Sequence, residues 1–168
     1  MGATTAVLFL GAIWLNELLF ARFEFAAGIS WIYLPAGVRL LSTLVFAGAG
    51  AIGILVASWL ICFFYFFPND PIRSFAGGIL AALAPWLTYR VLVAGRIGTS
   101  LAGLGPWRLL GCAVAFSIAS PALHHIWFAL HGQDEGLLRS FLVMASGDLA
   151  GTLIVLYTAK LVLIMRQR

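Results

Sequence analysis

Apolar residues fill most of this chain in long, nearly unbroken stretches, and polar residues gather in short clusters between them. Six apolar segments can be drawn, at roughly 4–21, 34–48, 51–67, 74–95, 107–130 and 140–164. Most come near or beyond the ~20 residues with which an α-helix crosses a hydrocarbon core of about 30 Å. The second and third are shorter and are separated only by Ala47-Gly48-Ala49-Gly50-Ala51-Ile52-Gly53. Fused into one helix, Pro35 to Phe67 would extend about 50 Å, well past that core. The pattern therefore predicts an all-α membrane protein, a compact bundle of about six transmembrane helices whose second and third are short and joined by a tight Gly/Ala hairpin.

Composition agrees and narrows the class. The chain is 62% hydrophobic and 10% charged, with a mean hydropathy of +1.04, which describes an integral membrane protein. At 168 residues the expectation is a single integral-membrane domain over 1–168 and no soluble domain. The net charge of +4 reflects topology and not nucleic acid, since no basic run or aromatic-interleaved basic patch occurs. The first basic residue is Arg22, so the amino-terminal apolar run lacks the positive flank of a signal peptide and is expected to remain as an anchor. With six crossings, Arg90, Arg96, Arg108, Lys160, Arg166 and Arg168 fall on one side without acidic company. The other side is mixed, and the rule that basic loops stay inside puts both termini in the cytoplasm.

Against this apolar background a few ionisable residues stand out. Arg39 lies just inside the segment opened by Leu34-Pro35-Ala36-Gly37, and Glu17, His124, His125 and Asp148 lie in three other segments. Counted along each helix, Glu17, Arg39, His124 and Asp148 sit about 6–12 Å below the same surface. Arg39, Ser42 and Thr43 share one stripe; Ser117, Ser120, His124 and His131 another; Asp148 and Thr152 a third. Unsatisfied polar groups facing lipid cost several kcal/mol, so these stripes are expected to face a common interior. One reading is an internal ion pair of Arg39 with Asp148 or Glu17. The reading preferred here is a polar pocket in the extracytoplasmic half, where Arg39 holds a small anion and Glu17, Asp148 or a histidine receives its donors. Ser120 lies on the histidine stripe, while Pro35 suits a helix start and Gly37 permits close approach.

Other chemistries find little support. Three histidines occur, but His124 and His125 point to different faces and no HExxH or ExxH spacing exists, so no metal or cofactor is expected. Cys62 and Cys112 stand alone within apolar segments and read as small hydrophobes. No nucleophile elbow, phosphate loop, dinucleotide fingerprint or catalytic carboxylate pair appears, and the protein is not expected to be an enzyme. Small residues four apart, such as Gly77 with Ala81 and Gly147 with Gly151, suit close helix packing within the bundle.

Two stretches carry a family resemblance. Trp31-Ile32-Tyr33-Leu34-Pro35-Ala36-Gly37-Val38-Arg39-Leu40-Leu41 is similar to the aromatic-x-Pro-Ala-Gly helix start of MASE1 domains, bacterial integral-membrane sensory modules. Ser146-Gly147-Asp148-Leu149-Ala150-Gly151-Thr152-Leu153 resembles that family's last-helix pattern. The resemblance implies a multi-pass protein of the bacterial inner membrane that receives a signal and passes it to an output partner. Pro35, Gly37, Asp148 and Gly151 are its motif positions. The chain departs from the family in having six segments where about eight are usual, and in ending at Arg168 without an output domain, so the expectation is a membrane protein partner or a second copy, or else a fragment of a longer receptor. The alternatives are a small-molecule-binding membrane subunit of a transporter, like the S-components of energy-coupling-factor importers, and a non-catalytic accessory subunit of a larger membrane complex.

Overall fold

Five helices long and apolar enough to cross a membrane account for most of the described chain. The computed structural model describes residues 1–92, 105–132 and 136–166. The basic loop at Arg96, the acidic pair Asp134 and Glu135, and the Gln167-Arg168 tail lie outside the described residues.

Helix α1, Gly2–Phe20, buries Phe9, Ile13 and Asn16 along one side and leaves Trp14 and Leu18 exposed. Apolar residues on every face suit a helix with the bundle on one side and lipid on the other. A 3-10 turn over Ala21–Phe23 leads into a two-stranded antiparallel hairpin, β1 Glu24–Ala26 and β2 Ile29–Ser30. Gly28, at φ 77°, supplies the left-handed residue in its turn. Helix α2, Leu34–Ile61, takes Pro35 in its first turn, where the missing N–H is not needed. A π-helical stretch, Cys62–Phe66, follows. The Ser74 hydroxyl ties it down by bonding the Cys62 and Phe67 carbonyls, each at 2.9 Å.

Helix α3 runs Pro71–Leu92, α4 Pro106–Leu130 and α5 Leu137–Arg166. The Asp70 carboxylate accepts the Arg73 N–H at 2.9 Å and so caps the start of α3. The core is built from Ala36, Leu40 and Leu44 of α2, Ala84 of α3, Leu109 and Phe116 of α4 and Leu156 of α5. A smaller cluster joins Phe9 and Ile13 of α1 to Ala57.

The all-α membrane-like fold is as expected, but the helix count differs. Where about six helices were expected, residues 34–61 form one element, so five are observed among the described residues. That element is interrupted at Ala47, whose φ 49° and ψ −126° are not helical. Beyond it the Gly50 backbone packs directly on the Ser42 carbonyl. Residues eight apart in an unbroken helix are about 12 Å apart along the axis, so this contact requires a sharp bend at Ala47. The hairpin after α1 was not anticipated from the sequence, because its strands are only three and two residues long.

Candidate functional site

Backbone contact between α2 and α5 organises the site. The Gly147 backbone packs against the Ser30 carbonyl and Gly151 against that of Tyr33, leaving no space for a side chain at either position. A Cβ on Gly37 would sit 2.6 Å from the Gly151 oxygen. The Tyr33 N–H donates to the Gly147 carbonyl at 3.1 Å, and the Leu34 N–H donates to Asn16 Oδ1 at 2.9 Å. Glycines on both helices thus let the backbones touch, as small residues do between membrane helices.

That approach places Asp148, between Gly147 and Gly151, opposite Arg39. Arg39 Nη2 donates to Asp148 Oδ1 at 3.3 Å and Oδ2 at 3.5 Å, and the side chains are 3% and 1% exposed. At that burial neither charge is tolerable without the other. The guanidinium carbon also lies 5.7 Å from the centre of the Tyr33 ring and 5.4 Å from that of Phe116, within cation–π range. Burial pushes the Tyr33 phenol above its ordinary pKa, against the pull of the Arg39 cation, so Tyr33 offers a neutral ring. The Ser120 hydroxyl, fully buried, faces the Asp148 carboxylate without a hydrogen bond of ordinary length.

Arg39 has a second side. It lines a cavity of about 70 Å³ near the hairpin end of the bundle, and its Nε–H, buried there, has no hydrogen-bond partner. A water-sized occupant needs roughly 10–15 Å³, so several such volumes fit. Ala27, Gly28 and Ile29 of the hairpin form part of the wall, with Arg73 of α3 and Ser58 of α2. Most of the remaining wall is aromatic or aliphatic, including Phe9, Phe66, Trp127 and Phe128. The Ser58 hydroxyl and Arg73 Nε are buried without partners as well.

The sequence-derived residues divide into four groups. Arg39, Asp148 and Ser120 come together, and His124 lines the same cavity as Arg39. His124 Nδ1 bonds the Ser120 carbonyl at 2.8 Å. A carbonyl only accepts, which assigns the proton to Nδ1 and leaves Nε2 as an acceptor when the ring is neutral. His125 turns elsewhere, to the Pro121 carbonyl and Ser140 Oγ, both at 2.8 Å. Gly37 packs against Val155 and Gly151 of α5, Pro35 is buried in the first turn of α2, and neither lines the cavity. Glu17 is half-buried and outside the cavity wall, because Asn16 takes the inward position on α1 and caps Leu34. Arg73 and Ser58 escaped the sequence reading. Arg73 reads as a loop charge beside Asp70, and a single serine in an apolar run carries no periodic signal. Among the described residues no cluster of three metal-ligating side chains occurs. No family model, curated protein or solved structure matches the chain.

Proposed function

We propose that this protein is a ligand-binding sensory module of the bacterial inner membrane, holding a small anion in the cavity beside Arg39 and reporting it to a membrane partner. One observation carries the reading: Arg39, anchored to Asp148, also lines a cavity and keeps a buried Nε–H with no hydrogen-bond partner. A buried arginine held by a carboxylate is fixed in place before any ligand arrives, which lowers the ordering cost of binding. An ion pair serving only to lock helices leaves the cavity, Arg73 and the unpartnered Ser58 without a role. The resemblance to MASE1 domains supports the sensory assignment, since its two motifs, Pro35 with Gly37 and Asp148 with Gly151, form one seam.

The topology belongs to the same proposal. In it, α2 doubles back at Ala47 into two arms, the chain crosses six times, and both termini lie in the cytoplasm with the cavity toward the periplasm. The bend at Ala47 and the Gly50–Ser42 contact support the doubling back. Five crossings would put the termini on opposite sides.

Two experiments test these statements. Thermal unfolding of the purified protein is followed against a panel of organic anions, with Arg39→Gln as the comparison. Stabilisation of the parent by at least one anion, absent in the variant, is expected; no shift in the parent across the panel overturns the ligand reading. For topology, Gly2→Cys and Arg166→Cys are labelled in intact spheroplasts in a background carrying Cys62→Ala and Cys112→Ala. Both sites resist an impermeant reagent until the membrane is opened, and labelling of one alone from outside sinks the six-crossing model.

A further inference from the structure

The charge and the wall of the cavity specify more than an anion. Arg39 is already neutralised by Asp148. Arg73 forms no ion pair among the described residues: its guanidinium stacks over Phe67 at 4.2 Å and Phe128 at 5.4 Å, while the Asp70 carboxylate is engaged by the Arg73 backbone N–H and attracts the guanidinium without touching it. The lining therefore holds one guanidinium without a counter-ion in contact. In a medium of low dielectric a single negative charge balances it, whereas a dianion leaves a net charge buried.

The donors point the same way. Arg39 Nε–H, Arg73 Nε–H and the Ser58 hydroxyl are the three unpartnered donors of the wall. A carboxylate offers two oxygens with about four lone-pair sites and can accept all three. Apart from His124 and Tyr33 the rest of the wall is mostly apolar, with Phe9, Ile29, Phe66, Leu80, Phe128 and Met144, which asks for an apolar body on the same ligand. A volume of about 70 Å³ suits a single ring or a short chain and excludes a nucleotide.

We infer that the cavity takes a small organic monocarboxylate with an aromatic or short aliphatic body, its carboxylate between Arg39 and Arg73. This rests on the reading of the cavity as a ligand site. Arg73 supplies the matching charge, and Arg39, fixed by Asp148, supplies direction.

The test is binding to the full chain in detergent micelles, followed by tryptophan fluorescence, since Trp127 lines the cavity. The probes are benzoate, butyrate, inorganic phosphate, phenyl phosphate and benzamide, the last a neutral match for benzoate. Benzoate or butyrate is expected to bind, with benzamide weaker by about tenfold or more and neither phosphate competing. Arg73→Gln is expected to weaken the monocarboxylate by about tenfold without lowering the melting temperature, and Ser58→Ala by roughly threefold. If Arg73→Gln fails to fold, the Ser58→Ala loss and the benzamide ratio carry the test. Tighter binding of either phosphate than of both monocarboxylates, equal binding of benzamide and benzoate, or unchanged affinity in both variants overturns the monocarboxylate assignment and leaves an anion site standing. Silence from all five probes defeats this inference, while the wider anion panel above separately decides whether the cavity is a ligand site at all.

Discussion

Two regions of the bundle meet at Arg39 and are built in opposite ways. On the α5 side, Gly147 and Gly151 bring backbone onto backbone, Gly37 makes room for Val155 and the Gly151 carbonyl, and the guanidinium is closed against Asp148. On the α3 side, large aromatic rings stand apart around open space, and three buried donors lack partners. Membrane helices gain little from apolar burial, because lipid is as apolar as leucine, so tight packing and polar contacts hold them together. The closed side therefore carries stability, and the open side gives it up. The difference teaches that one buried charge can serve both: its cost is met on the closed side, which leaves its remaining donor free on the open one.

That comparison can be broken most directly at Asp148. Asp148→Asn leaves a buried cation without a counter-charge and is expected to destabilise by about 3–5 kcal/mol in reversible unfolding. The paired replacement Arg39→Met with Asp148→Leu removes both charges and should return to within about 1 kcal/mol of the parent, with ligand response abolished. A double variant as unstable as the single one would show that the pair is not the energetic unit of the seam.

A smaller effect separates close contact from electrostatics. Gly151→Leu drives a side chain into the Tyr33 carbonyl and should cost about 3 kcal/mol, seen as a lowered melting temperature. Gly11→Leu, on a part of α1 with nothing nearby, should leave it unchanged. Equal effects would remove the argument from the seam.

Truncations compare the two sides again at lower amplitude. Leu40→Ala, in the closed core, is expected to cost about 2–3 kcal/mol, and Leu80→Ala, beside the cavity, about 1 kcal/mol, because its surroundings are already open. Reversal of that order in chemical unfolding would mean that the cavity is not open space. Smallest is Ala47→Gly. Relief of a strained positive φ at a residue with a Cβ should raise stability by somewhat less than about 1 kcal/mol, measured as a small rise in melting temperature.

Much of this was readable from the chain because charges are scarce in it. Depth put Arg39 and Asp148, 109 residues apart, at one level with Glu17 and His124, and left Asp148 and Glu17 both open as the partner of Arg39. The same counting could not separate Glu17 from its neighbour. Depth is blind to rotation, and about 100° per residue decides that Asn16 and not Glu17 faces inward. Arg73 was missed for a related reason: it lies in the first turn of α3, where a charge reads as solvated, yet its guanidinium lies over Phe67 and Phe128 on a cavity whose wall the hairpin shares. Nothing in the spacing of β-hairpin residues 24–30 announces a cover over a membrane cavity. The Gly/Ala run did mark where α2 departs from a helix, although an apolar pattern alone does not say whether a helix bends or ends.

The interruption at Ala47 also bears on how the protein is made. Insertion machinery meets Leu34–Phe66 as one apolar stretch of 33 residues, while the first arm, 34–46, taken alone falls short of the ~20 residues that partition securely. On the six-crossing topology proposed above, the two arms enter the membrane together, and the bend between them sets the orientation of every later segment. A change that straightened it would then not merely reshape α2; on that topology it would deliver α3, α4 and α5 to the membrane upside down.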